Sequence, residues 1–352
     1  MPTPGAAVEY PARPVTTVAL PLGPCRERDL WTQRGPGGPL LVQRGDEELV
    51  AVRVDGSGAV ARFPAPWPRG FGGAAVSPDG SLALFAGVHA LRAVEPDGTI
   101  RWESGHDCWA DVVCPVRHSS FAEYADDPGH RGSDGGSAAF SADGKLVWAH
   151  VRVHEGGGEE AGERWAVLDA ADGAVLGSAG TGTFGAGHHC PHPDPSRMGL
   201  SVGQGDEDSP ALWGRWDGRT LTFERFDEEV LLAAAPSGER LLTVDTSQAV
   251  LRLRDAAGAA APVRAPRDPW VTDEERILWA LEAAFPSEDA IVAATETAGE
   301  PRHWLVDART LAVRGPIGYP VPVSGLPRPA GPGVWSTGSA DLSAVHLWAL
   351  GS

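Results

Sequence analysis

Asparagine is absent from the 352 residues, and Lys145 is the single lysine, so Schiff-base chemistry has one candidate. Basic residues are few: 29 Lys and Arg stand against 47 Asp and Glu, a formal net charge of −18. Such a surface repels phosphate backbones and anionic bilayers, so neither a nucleic acid nor a membrane is expected as partner. No run of about 18 apolar residues occurs, which excludes a membrane-spanning helix from the expectations. The N-terminus, MPTPGAAVEYPARPVTTVALPLGPCRERDL, lacks the basic start and apolar core of a signal peptide. The four cysteines, Cys25, Cys108, Cys114 and Cys190, are therefore expected as reduced thiols in a cytoplasm. Helical periodicity is scarce as well: only DEERILWALEAA (273–284) has an acidic start and helical spacing, and the same residues also suit a strand.

What is abundant is turn chemistry, with 45 glycines and 31 prolines set between β-rich runs. One pattern returns along the chain: a small apolar run, a tight turn, then an alternating strand. It is seen in AAVSPDGSLALFAG (74–87), SAAFSADGKLVWAHV (137–151), HHCPHPDPSRMGLSVG (188–203), LLAAAPSGERLLTVD (231–245) and AAFPSEDAIVAATE (283–296). A strand, a short Asp/Gly turn and a second strand follow most copies, as in LRAVEPDGTIRWES (91–104) and RWAVLDAADGAVLGSA (164–179). Turns near Pro36, Pro78, Ala142, Pro193, Pro236, Pro286 and Pro332 mark seven units, 42 to 64 residues apart. A four-stranded propeller blade takes about 40–45 residues, so two units carry insertions.

On these SPDG and SADG turns the chain resembles the bacterial WD-repeat-like β-propellers, and its composition suits a GC-rich, actinobacterial type of genome. The Gly-His and Trp-Asp signatures of that family are out of register; Trp216-Asp217 is a lone dipeptide. The resemblance implies an all-β fold: a single domain over 1–352, built as a seven-bladed β-propeller of four-stranded antiparallel blades. VTTVALPL (15–22) is expected to supply the outer strand of the last blade and close it. Asp79, Asp97, Asp143 and Asp172 each precede a glycine and are expected to shape turns. Length variation falls on the opposite set of connections, above all the inter-blade insertion 104–136, which marks that face for binding.

Three stretches carry candidate chemistry. GAGHHCPHPDP (185–195) brings His188 and His189 to the first strand of the fourth unit. There they suit acid–base work or a metal, or simply hydrogen bonds between blades. The insertion supplies His106, Asp111 and His118 as polar groups and Trp109 and Tyr124 as flat apolar walls of a lid or pocket. A zinc set of His106, Cys108, Cys114 and His118 is one alternative there and a Cys108–Cys114 disulfide another, but neither cluster has compact ligand spacing. No metal and no cofactor are therefore expected. SPALWGRWDG (209–218) sets Trp213 and Arg215 on one side of a strand, suited to an anionic or acyl group, or to packing between blades. GLSVG (199–203) matches a nucleophile elbow only in letters, since Ser201 falls inside a strand.

The expected function is a cofactor-independent enzyme acting on a small-molecule substrate, by acid–base dehydration, conjugate addition or cyclisation. His188, His189, His106, Asp111 and His118 would be catalytic in it, with Trp109, Tyr124, Trp213 and Arg215 binding substrate. Propeller cyclases of secondary metabolism are the analogy. The alternatives are a non-catalytic scaffold for a protein partner and a metal-dependent, lactonase-like hydrolase. Circular dichroism of the purified chain should show a β-dominated spectrum; a predominantly helical one would exclude the propeller.

Overall fold

The hairpin turns are built from their own side chains. Ser77 Oγ donates to Asp79 Oδ1 (2.6 Å), which also accepts the Ser81 N–H at 3.0 Å. Gly80 then turns with φ +77°, a conformation a Cβ would strain. The SADG turn repeats the device: Ser141 Oγ donates to Asp143 Oδ1 (2.7 Å), the Lys145 N–H donates to the same oxygen (3.1 Å), and Gly144 has φ +73°. These aspartates shape the backbone, as their place before glycine implies.

The structure, a computed structural model, describes residues 9–54, 57–110, 114–132, 135–154, 161–204, 209–255, 258–259, 263–264, 277–296 and 301–351. The chain divides into two compact units, one of Gly35–Glu229 and one of Met1–Arg34 with Val230–Ser352. Three sheets of the first unit are antiparallel meanders of four strands each. One runs through Gly72–Val76, Ala83–Gly87, Ala90–Val94 and Ile100–Gly105. The next takes Ala138–Phe140, Leu146–His154, Ala161–Asp169 and Val175–Gly180. The third takes Ala186–Pro191, Arg197–Gly203, Ala211–Trp216 and Leu221–Phe226.

The number of blades corrects the expectation of seven. Among the described residues, five separate sheets of four or five strands are formed, and the remaining strands make one mixed sheet of eight. The N-terminal strand Tyr10–Ala19 does pair antiparallel with the last strand, Ala344–Leu350, from Ala12↔Leu350 to Ala19↔Ala344. Its first two residues also pair in parallel with Val313–Gly318, Tyr10 opposite Ile317 and Pro11 opposite Gly318. That two-residue bridge fuses the strands expected as the sixth and seventh blades. The segment that suited either helix or strand is settled where it is described, since Leu278–Ser287 is a strand.

Both faces of these sheets are apolar, so each is covered by its neighbour. Leu84, Ala86, Leu91 and Ala93 of one sheet pack on Phe140, Val147, Ala149 and Leu168 of the next. Trp148, Trp165 and Val167 then pack on Met198, Leu200, Val202 and Leu212. Between sheets, tryptophans lie on glycines. A Cβ at Gly214 would sit 2.6 Å from the Trp165 ring, one at Gly177 2.5 Å from Trp216, and one at Gly173 2.6 Å from Trp102. The Trp102 Nε1–H donates to Ala170 O at 3.0 Å, so the indole is fixed in the plane that needs the glycine.

In the eight-stranded sheet a polar chain is closed in. The Trp335 Nε1–H donates to Tyr319 Oη (3.0 Å), the tyrosine hydroxyl donates to His303 Nδ1 (2.7 Å), and the His303 Nε2–H donates to Gly325 O (3.0 Å). Burial pushes the imidazole down to about 4, which keeps His303 neutral. The Trp-on-Gly contacts carry a test. Gly214→Val should destabilise the fold by about 1–3 kcal/mol, the cost of overpacking a filled core, read as a lower urea midpoint at unchanged slope.

Candidate functional site

Beyond the strand Ile100–Gly105, the described residues of the insertion 104–136 form only the single 3-10 turns Phe121–Glu123 and Pro128–His130. Backbone hydrogen bonds tie its first residues down. The His106 N–H donates to His89 O (2.8 Å), Trp109 to Val88 O (3.0 Å) and Asp107 to Arg152 O (3.0 Å). Tyr124 then anchors the middle: it is buried, and its hydroxyl lies 2.6 Å from His89 Nδ1. Its ring stacks on His130 at 4.9 Å and lies near Phe71, which packs edge-on against Phe121. The flat apolar role expected of Tyr124 is thus filled by the protein's own side chains.

That anchoring gathers Cys108, Cys114, His118 and His130, with their ligand atoms all within 4.8 Å of one another. His118 Nε2 lies 3.1 Å from Cys114 Sγ and 3.2 Å from His130 Nε2. The other nitrogen of each ring faces a carboxylate: His118 Nδ1 is 3.2 Å from Glu123 Oε2, and His130 Nδ1 is 3.1 Å from Asp127 Oδ2. The two 3-10 turns supply these carboxylates. Glu123 closes the first, and Asp127 caps the second by accepting the Gly129 N–H at 2.9 Å. The four-residue set read from spacing is therefore altered by one member. His106 turns away, its Nδ1 2.8 Å from Asp107 O, and burial pushes it down to about 4. His130, which the spacing did not single out, takes that place. Asp111 lies outside the described residues.

A second polar cluster lies beneath the crossover 180–187. Glu163 is fully buried, with His150 Nε2 3.1 Å from one carboxylate oxygen and Arg152 Nη2 3.6 Å from the other. It also accepts from Thr183 Oγ1 (2.9 Å) and from the Gly185 N–H (2.7 Å). Trp109, expected as a pocket wall, is buried here instead, with the Arg152 guanidinium 5.0 Å from its ring and His150 5.3 Å away. Gly187 makes room for this packing, since a Cβ there would meet His150 Nδ1 at 2.5 Å.

His188 and His189 part company. His189 is buried with both ring nitrogens engaged: the Trp165 Nε1–H donates to its Nε2 (3.1 Å), leaving the Nδ1–H to donate to Ser137 Oγ (2.9 Å). Burial, with the nearby His150 and His188, holds it well below the ordinary histidine range, so it is neutral and its lone pair is committed. His188 is exposed on the same strand. Cys190 is buried, and burial pushes its thiol up to about 12, which removes it as a nucleophile. Trp213 lies edge-on to His192 at 5.1 Å, while Arg215 is exposed two residues on. The residues expected to form one acid–base pocket thus fall into separate places: a buried nest, a Cys/His cluster and a strand surface.

Solved structures match this chain over nearly all of its length. A chain from the crystal structure of a mitotic checkpoint complex aligns with a TM-score of 0.61 at 11% identity, covering 100% of this chain and 96% of its own. The β-propeller domain of Myceliophteria thermophila Cps50 (Swd1) aligns with a TM-score of 0.57, also at 11% identity, covering 97% and 100%. No protein-family model matches the sequence, and no curated protein matches it. The fold is a β-propeller with four-stranded blades. At this identity the likeness fixes the fold alone.

The two adjacent histidines give a direct contrast. His189→Ala should cost about 1–3 kcal/mol, because it strands the buried Trp165 N–H and Ser137 hydroxyl. His188→Ala, at the surface, should stay within about 0.5 kcal/mol of the parent. Equal losses in chemical denaturation would show that the hydrogen bonds of His189 do not hold the strand.

Proposed function

We propose that this chain is a non-catalytic propeller that binds a protein partner through the face carrying the insertion 104–136 and the crossover 180–187. The observation that carries this reading is Phe184, whose surface is 52% exposed although its surroundings are rigid. Its N–H donates to Gln204 Oε1 at 2.9 Å, and the residues on either side, Thr183 and Gly185, both bond to the buried Glu163. The Arg152 guanidinium lies 4.6 Å from the ring centre. An exposed aromatic held in one place loses little conformational freedom on contact, which is the property of an interface anchor.

Two further observations support a protein rather than a small molecule. The histidines expected to do acid–base work do not converge on one site, and those that are buried hydrogen-bond within the fold. The similar solved chains are a member of a mitotic checkpoint complex and the propeller domain of Cps50 (Swd1). The net charge of −18 defines the partner's chemistry as basic around an apolar socket.

The test compares the tagged chain with its Phe184→Ser variant, both expressed in the native cells and captured under identical conditions. A basic protein should be recovered in near-equal amount with the parent chain, and its affinity for the purified variant should fall tenfold or more, about 1.4 kcal/mol. Melting temperature should not change. Recovery at the same level with both chains, or a turnover activity that survives Phe184→Ser, would count against the interaction reading.

A further inference from the structure

We propose that Cys108, Cys114, His118 and His130 are the four ligands of a structural zinc site that staples the insertion 104–136 to itself. Tetrahedral zinc holds sulfur at about 2.3 Å and nitrogen at about 2.0–2.1 Å, so ligand atoms on its edges lie about 3.3–3.8 Å apart. The distances of 3.1 Å for sulfur to nitrogen and 3.2 Å for nitrogen to nitrogen are close to those edges. The closing of all four donors within 4.8 Å is the size of one ion's coordination sphere.

The orientation of the two rings suits a cation at the centre. A carboxylate oxygen lies behind each ring, Glu123 Oε2 3.2 Å from His118 Nδ1 and Asp127 Oδ2 3.1 Å from His130 Nδ1, while the two Nε2 atoms turn toward each other. The two Nε2 atoms lie 3.2 Å apart, near the spacing that one ion bound by both would give. Carboxylates behind ligating imidazoles are the arrangement that orients the rings and makes them more basic toward a metal. The Ala110 N–H donates to Cys108 Sγ at 3.4 Å, which fixes that side chain within the cluster.

The donor set names the ion. Two thiolates and two imidazoles with no oxygen ligand suit zinc rather than magnesium or calcium. Four protein ligands leave no open coordination position, so the role is structural and not Lewis-acid catalysis. The order of ligands, with five residues between the cysteines, three before His118 and eleven before His130, lacks a compact knuckle, so the tertiary fold and not local spacing assembles them.

The experiment uses the full-length chain, purified without a histidine tag from zinc-replete cells. Elemental analysis should find about one zinc per chain. After chelation the melting temperature should fall and return on adding zinc chloride. Cobalt(II) added to the chelated chain should give thiolate-to-cobalt charge-transfer absorption and tetrahedral d–d bands. Cys114→Ser and His130→Ala should abolish both zinc and cobalt signals, His106→Ala should keep them, and Glu123→Ala should weaken zinc binding about 10–100-fold. A folded parent chain that takes up neither zinc nor cobalt would overturn the site, leaving a shared proton between the imidazoles. Full zinc retention by both ligand variants would overturn it equally. If those variants fail to fold, the parent's chelation and cobalt spectra decide alone.

Discussion

Tryptophan lying on glycine sets how closely neighbouring sheets of the Gly35–Glu229 unit approach. A sheet with two apolar faces is stable only if both are covered, and the cover must match in shape. An indole is the largest side chain available, and it fits between packed sheets only where the facing strand has no Cβ. Gly173, Gly177 and Gly214 supply those gaps to Trp102, Trp216 and Trp165. Each contact joins residues far apart in sequence, so the order of the sheets is fixed by these pairs as well as by the chain path. Once the sheets are held at that distance, polar groups trapped between them must find partners inside.

The nest around Glu163 is the outcome. A buried carboxylate is costly unless charge and hydrogen bonds compensate it, and here His150, Arg152, Thr183 and the Gly185 N–H surround it. The result is rigidity where the crossover 180–187 passes overhead. The same constraint separates His189 from chemistry. An imidazole whose lone pair accepts from Trp165 and whose N–H donates to Ser137 has nothing left to exchange with a substrate. The proposed interaction surface lies outward from it, in what the loops display.

Local chemistry was legible in the sequence, and tertiary assembly was not. The Ser-x-Asp-Gly turns were readable because all their bonds close within about five residues, and the pairing of the N-terminal strand with the last followed from the shortness of the last repeat. The blade count was not readable, since it hangs on Tyr10 and Pro11 meeting Ile317 and Gly318, two bonded pairs with no pattern of their own. Glu163 was not singled out, although it opens the alternation Glu163, Trp165, Val167 of the strand Ala161–Asp169. His130 was passed over because eleven residues separate it from His118. Its signal was the Asp-Pro-Gly-His run, a capped turn that aims the ring and provides a carboxylate partner in one stroke.

The length of the insertion gives the Cys/His cluster its place in the whole. Residues 104–136 form a connection far longer than the few residues that usually join sheets, and past Gly105 its described part has only two single turns of regular structure. Ordering each such residue costs about 1–2 kcal/mol of backbone entropy, and a few aromatic contacts around Tyr124 offset little of that. A bound ion concentrates the missing free energy at one point, since metal binding to a preformed set of four ligands counts directly toward folding. The point is well chosen. Cys108 sits one residue from Asp107, whose N–H donates to Arg152 O, and Arg152 in turn lies between the rings of Trp109 and Phe184. Order imposed at the cluster therefore reaches, through one buried arginine, the exposed aromatic ring that the crossover presents.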